Sequence, residues 1–209
     1  MTYYFLIINI FLISVKFNLL DTVPNDIIIW DSFRQGNKEA LALLFKRHYA
    51  ELFRYGLKMS IDKEMIDDTL QDLFIEIWQQ KTPPPVLSIK AYLIKSLRYK
   101  LLKVIKKAIA SKMVMKAPDD IFDIGHEAFL INCEQDKENV NKVLNCLQKL
   151  PPRQKEIIYL RYYLKLDYKE ICEVMNIEYQ VARNQLSNAI KNMKRGLLLL
   201  LINLLVNSL

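Results

Sequence analysis

A chain of 209 residues with 52% apolar content is long enough for one large or two small domains and has ample material for a core, which excludes a disordered polypeptide. Four glycines and seven prolines, three of them consecutive at Pro83, Pro84 and Pro85, leave little turn chemistry for a many-stranded sheet, so the expected class is all-α. Cys133, Cys146 and Cys172 are odd in number and form no C-x-x-C pair, which argues against a disulfide framework or zinc knuckle and suits a reducing cytoplasm; the net charge of +7 speaks of a polyanionic partner only where it is concentrated.

The first twenty residues, Met1 to Leu20, carry an apolar run, Tyr3 to Val15, interrupted by Asn9 and followed by Lys16 and Asn18. No positive leader or small-residue cleavage site frames it, so a signal peptide is not expected. A packed helix, a membrane anchor and upstream sequence translated from a start assigned too early remain as readings of residues 1–24. The next helix is expected to begin near Asn37, whose side chain suits a cap before Glu39 and Ala40. Leu41, Leu44, Phe45, Tyr49, Leu52, Phe53 and Gly56 fall on one side of it. His48 lies at the edge of that stripe. The other histidine, His126, is in a different segment, so no metal site follows.

A helix over about Lys63 to Gln79 has two unlike faces. Ile66, Leu70, Leu73, Phe74 and Ile77 recur at three and four and form a core stripe. Asp68, Gln71, Asp72 and Ile75 lie opposite, in a stretch from Ile61 to Gln80 where six acids stand against one base. A solvated acidic face is the ordinary reading. An isoleucine ringed by carboxylates suits a docking surface for a basic partner protein.

After the three prolines, Ser88 is suited to cap a long helix from Ile89 to about Ala110. Leu93, Leu97, Leu101, Val104 and Ala108 are its expected buried side. Tyr92, Lys95, Ser96, Tyr99, Lys103 and Lys106 form a second stripe, within a stretch from Lys81 to Lys107 holding eight bases and no acid. Rings interleaved with ammonium groups suit a nucleic-acid backbone with unstacked bases. Lysines snorkelling beside core-edge tyrosines are the competing account, and this helix alone does not decide.

From Ser111 to Val140 seven acids stand against three bases, the composition of a flexible acidic linker over 111–139. Its roughly 29 residues at ~3.3 Å each could reach about 95 Å, beyond two duplex turns of ~34–36 Å. The charge returns to eleven bases against five acids from Asn141 to Gly196. There Leu150-Pro-Pro-Arg-Gln-Lys-Glu opens a helix whose prolines occupy positions with no N–H bond to lose, and Ile157, Ile158 and Leu160 follow as core. Asp167 is suited to cap a short helix, Tyr168 to Met175, with Tyr168, Ile171, Cys172 and Met175 buried. Asn176 tolerates the left-handed turn and Ile177 plugs the corner.

A last helix is expected from about Glu178 to Arg195, with Ala182, Leu186, Ala189, Ile190 and Met193 inward and Gln180, Arg183, Asn184, Ser187 and Lys191 outward. Two short helices about a tight turn, the second presenting such side chains, describe a helix-turn-helix whose recognition helix can enter a major groove. A helical hairpin with a merely polar face is the competing account. The tail 197–209 contains a ten-residue apolar run, Leu197 to Val206 with Asn203 inside it, too short to span a bilayer. It is expected to bury itself on its own domain or on a partner.

No phosphate-binding Gly-rich loop, H-E-x-x-H, G-x-S-x-G or suitably placed Cys/His pair occurs, so neither catalysis nor a cofactor is expected. The ordered set Phe33-Arg-Gln-Gly-Asn-Lys-Glu-Ala-Leu, Asp67-Asp-Thr-Leu-Gln-Asp-Leu-Phe-Ile-Glu-Ile-Trp, Ala91-Tyr-Leu-Ile-Lys-Ser-Leu-Arg, Leu150-Pro-Pro-Arg-Gln-Lys-Glu and the helix-turn-helix resembles the sigma-70 family of RNA polymerase sigma factors, extracytoplasmic-function subgroup, over about Trp30 to Arg195.

The resemblance implies a region 2-like helical domain over 25–110 and a region 4-like helix-turn-helix domain over 140–196, joined by the linker. It implies that Asp68, Gln71, Asp72, Phe74 and Ile75 dock on core RNA polymerase. Tyr92, Lys95, Ser96, Tyr99, Lys103 and Lys106 would open and read the minus-10 element of promoter DNA, while Gln180, Arg183, Asn184, Ser187, Asn188 and Lys191 would contact the minus-35 element. Tyr99 stands where the family often has asparagine and Lys103 where it has an acid, so base capture at the minus-10 element is where this chain departs from the pattern. An anti-sigma factor is a candidate further partner, and no small-molecule substrate is implied. A stand-alone helix-turn-helix regulator is the alternative function.

Overall fold

The computed structural model of the chain describes residues 25–60, 62–80, 82–111, 121–124 and 144–207. All regular structure among them is helical. The N-terminal extension 1–24 and most of the linker lie outside the described residues. The contacts divide the chain into two units, Met1–Leu57 with Asp62–Leu101, and Lys58–Ile61 with Leu102–Leu209.

The first unit opens on a helix for which the sequence reading had no separate expectation, α1 (Asp26–Arg34). Asn25 caps it, its side chain accepting from the Ile27 N–H at 3.2 Å. Ile29, Trp30 and Phe33 are its buried face. Asp26 holds it to α2 (Lys38–Gly56), accepting from Arg47 at 2.7 Å and pairing with His48 Nε2 at 2.8 Å. His48 is therefore a buried structural residue. The turn between these helices passes through Gly36 at φ +102°, a conformation only glycine adopts without strain.

Asn37 caps α2 as the sequence predicts, accepting from the Glu39 N–H at 3.1 Å. Its buried face is centred on Leu41, Leu44, His48, Leu52 and Tyr55, leaving Phe45, Tyr49 and Phe53 half-buried. Those three form a row of rings 5.2 and 6.0 Å apart between centroids. Gly56 meets α3 (Lys63–Gln79) so closely that a Cβ there would lie 2.6 Å from Ile66 Cγ2. Ile66, Leu70, Leu73, Phe74 and Ile77 are all buried along α3.

The Tyr49 hydroxyl donates to the Asp67 carboxylate on α3. Burial, then that hydrogen bond and the Asp67 charge, push the Tyr49 pKa from its ordinary 10.0 up to about 12. A raised folded-state pKa favours the protonated form, so the stabilisation is complete below pH ~10 and is lost as pH rises from 10 toward 12. In denaturant titrations from pH 9 to 12, Tyr49→Phe is expected to lose stability less steeply than wild type over the upper two units; parallel profiles would refute the assignment.

Helix α4 (Ile89–Ser111) completes the unit with its residues up to Leu101. Ser88 Oγ accepts from the Ala91 N–H at 3.2 Å, and Ile89, Leu93, Ile94, Leu97 and Leu101 are buried. The expected buried side fails beyond that point: Val104 is 39% exposed and Ala108 is exposed. Periodicity assigns a residue to a face of a helix, but whether a neighbour covers that turn is a tertiary matter.

In the second unit a helical segment over 144–148 leads to α5 (Pro152–Ile158), which continues as one π-helical turn, Tyr159–Tyr163. Pro152 starts α5 and Ile157, Ile158 and Leu160 are core, as the sequence implies. Then come α6 (Tyr168–Met175) and α7 (Tyr179–Asn207). On α6 the buried set is Ile171, Val174 and Met175, with Tyr168 and Cys172 only half-buried; Val174 takes the inner place assigned to Tyr168 and Cys172. Helix α7 does not stop at Arg195. It runs through Gly196, where a Cβ would lie 2.9 Å from Cys146 Sγ, so this glycine serves close helix approach rather than termination.

Within the stretch read as linker, residues 121–124 pack into this unit. Phe122 and Ile124 are buried, Phe122 lying edge-on to Tyr159 at 5.7 Å. The Asp123 N–H donates to the Lys58 carbonyl at 2.7 Å, and Lys155 Nζ donates to the Asp123 carboxylate, also at 2.7 Å. Lys155 is itself buried, so one linker acid neutralises an interior cation. Two apolar residues of the linker stretch, Phe122 and Ile124, are thus core, while Asp123 stays exposed.

Candidate nucleic-acid and protein-docking surfaces

The helix-turn-helix is built by local chemistry. Asp167 and Glu170 form a reciprocal capping box at the start of α6: Asp167 Oδ1 accepts from the Glu170 N–H at 2.8 Å and Glu170 Oε2 from the Asp167 N–H at 2.7 Å. Asn176 ends the helix in the left-handed conformation, φ 51° and ψ 55°, and the Ile177 N–H donates to the Cys172 carbonyl at 3.1 Å. Ala182, Leu186 and Ala189 then bury one side of α7. Gln180, Arg183, Asn184, Ser187, Asn188 and Lys191 are all exposed on it. Gln180 Nε2 donates to Asn184 Oδ1 at 3.2 Å, one turn apart.

Two exposed residues at the start of α7 are absent from the sequence reading: Tyr179 and Val181. Tyr179 packs on Tyr168 with centroids 5.5 Å apart, and Arg161 stands over the Tyr168 ring at 5.2 Å. Apolar residues in an amphipathic helix are assigned to the core by default, so only the angular position of Val181, beside Asn184 and Asn188, signals it. Burial, then the Asp167 charge, push the Cys172 thiol pKa up, so it supplies no thiolate near neutrality.

On α4 the basic stripe is narrower than its sequence. Lys95, Tyr99, Lys103 and Lys106 are exposed, with Tyr99 at 70%. Tyr92 and Ser96 are half-buried, Tyr92 resting on Trp30 with centroids 5.3 Å apart. Two of the bases counted in this stretch are occupied within the unit: Lys90 donates to Glu51 at 2.9 Å, and Lys100 to Glu76 of α3.

On α3, Asp68, Gln71 and Asp72 are exposed and Ile75 is half-buried. Phe74 is not on this surface. It is 4% exposed and meets Phe45 edge-on at 4.9 Å, supporting the ridge from beneath; a residue at i and one at i+2 point to different sides of a helix. Asp67 is likewise turned to Tyr49. Four residues expected to meet one partner thus remain together, and the fifth belongs to the core.

No helix among the described residues is long and apolar enough to cross a membrane. Residues 141–193 match the family model for sigma-70, region 4. A search of curated protein sequences returns no match. Among solved structures, CnrH in complex with the cytosolic domain of CnrY is similar with a TM-score of 0.55 and 18% identity, covering 81% of this chain and 95% of that one. The sigma factor RpoE of Bartonella quintana, in complex with the anti-sigma factor NepR, is similar with a TM-score of 0.54 and 17% identity, covering 74% of this chain and 94% of that one. At these identities the likeness is one of fold. Residues 141–193 are thus similar in sequence to sigma-70 region 4, and the chain shares the fold of these two solved proteins.

Proposed function

We propose that the protein is a transcription initiation factor that joins core RNA polymerase in the cytoplasm, directs it to particular promoters and assists in opening them. The observation that carries this reading is the row Gln180, Arg183, Asn184 and Ser187, exposed on the recognition helix of a region 4 domain. Amide and guanidinium side chains there match the donor and acceptor pattern of major-groove base edges. We assign region 2 functions to 25–110 and region 4 functions to 140–196. The protein performs no chemistry itself; polymerase supplies it.

Energetics explain why a docking ridge accompanies a basic helix. Opening about ten base-pair steps costs on the order of 14 kcal/mol at ~1.4 kcal/mol per step. Stacking returns ~1–3 kcal/mol per captured base, and Tyr99 is one well-exposed ring on α4. A larger machine must hold the strands. Asp68, Gln71, Asp72 and Ile75 are the surface we assign to that machine, Lys95, Tyr99, Lys103 and Lys106, with Tyr92 and Ser96 at the edge, to the minus-10 element, and Gln180 to Lys191 to the minus-35 element. The two solved proteins of like fold are each held by a protein partner, and an anti-sigma factor is proposed here too.

Run-off transcription with purified core enzyme on genomic fragments tests the reading: start sites that need this chain are expected. Tight operator binding by the chain alone, indifferent to polymerase, would instead favour a stand-alone regulator. At a promoter so found, Arg183→Ala is expected to lose ~1–3 kcal/mol of discrimination at one upstream base. Equal loss on every sequence would reduce Arg183 to a phosphate contact.

A further inference from the structure

Overlapping the end of the reading row and running past it, α7 carries a second kind of surface. Asn188, Lys191, Asn192 and Arg195 recur at three and four along it, and together with Gln154 of α5 they line an open groove of about 390 Å³. No carboxylate among the described residues lines it. Asn192 Nδ2 donates to Gln154 Oε1 at 3.1 Å, which orients both amides and leaves Gln154 its two amide hydrogens for another acceptor. Two cations and several amide donors, with no opposing anion among the described residues, make a site for a phosphodiester. Arginine and lysine supply its charge, the arginine as a planar fork matched to two phosphate oxygens.

Position along the helix separates this groove from base reading. Arg195 lies ~16 Å along the axis from Asn184 at 1.5 Å per residue. A major groove is only ~8.5 Å deep. A helix entering the groove by its N-terminal turns would have left it by Arg195 and would stand level with the sugar-phosphate chain.

We propose that Gln154, Asn188, Lys191, Asn192 and Arg195 form a backbone clamp that takes a phosphodiester of promoter DNA beside the minus-35 element. The clamp fixes the angle at which α7 enters the duplex, and it moves Lys191 from base reading to backbone holding. It rests on the reading that this domain binds promoter DNA. An acidic segment of a partner protein is the other occupant such chemistry admits, and the test separates them.

The experiment uses holoenzyme, the full chain assembled with core RNA polymerase, on two promoters of unlike upstream sequence obtained by run-off transcription. Promoter affinity is measured between about 50 and 200 mM salt, where counterion release is readily read. Lys191→Gln and Arg195→Gln are each expected to lower the slope of log K against log salt by about 0.9, and the double variant by about 1.8, equally on both promoters. An unchanged slope in the double variant, with wild-type binding intact, overturns the clamp and turns the groove over to a protein partner. A loss confined to one promoter overturns it in favour of base contact. Failure to find any dependent promoter is a failure of the sigma-factor reading itself, and the clamp falls with it. Both substituted residues are exposed, and wild-type helix content with an unchanged melting midpoint shows that the variants fold.

Discussion

Full-length protein carrying Asp68→Lys together with Asp72→Lys is expected to lose its retention by immobilised core RNA polymerase while keeping wild-type helix content and thermal stability. The two carboxylates are exposed and one turn apart on α3, and neither makes an ion pair within the described residues. Nothing in the fold depends on their charge, so surface substitutions here should fall within about 0.5 kcal/mol of wild type. The interface has the opposite sensitivity. A basic partner surface that met two anions would meet two cations, and like-charge juxtaposition costs several kcal/mol. At 1.4 kcal/mol per tenfold, the loss exceeds about a hundredfold and empties a pull-down. Retention at wild-type levels would remove the docking assignment, whatever the promoter experiments show.

Trp30→Ala should cause a far larger loss of stability than its place near the start of the described chain suggests. Trp30 is 1% exposed. Its ring meets Phe33 at 5.5 Å and Tyr92 at 5.3 Å, and its Nε1 donates to the Pro84 carbonyl at 2.9 Å. One side chain thus joins α1, the proline loop and α4, the helix assigned to the minus-10 element. Truncating a buried tryptophan costs about 3–5 kcal/mol. At roughly 4–8 °C per kcal/mol for a domain of this size, the melting midpoint should fall on the order of 12–40 °C. Trp78→Ala is the comparison: Trp78 is half-buried with Lys38 over its ring at 4.6 Å, and its loss should be clearly smaller. Equal shifts for the two variants would show that Trp30 does not hold the unit together.

Both experiments bear on one division within the molecule. The stability of the first unit resides in Trp30, Leu44, Ile66, Leu97 and their neighbours, all buried. The residues we assign to partners stand on the outer faces of the same helices. That separation lets Asp68 and Asp72 change without unfolding and makes Trp30 costly to change without touching a partner.

The elements legible in the linear chain are those whose physics is local. A cap is satisfied within three residues, so Asn37, Ser88 and Asp167 announce α2, α4 and α6, and Asn176 announces the turn before α7. Helical spacing assigns Ile66, Leu70, Leu73 and Ile77 inward and Gln180, Arg183, Asn184 and Ser187 outward without a structure. What a neighbouring element covers could not be read this way. Phe74 sinks against Phe45, Tyr92 against Trp30, Val104 outlasts its cover, and Gly196 continues a helix because Cys146 approaches it. Likewise Lys100 meets Glu76, and Asp123 leaves an acidic stretch to meet Lys155. Burial and charge pairing are sums over residues distant in sequence, so tertiary packing alone decided which members of each predicted face were free to bind.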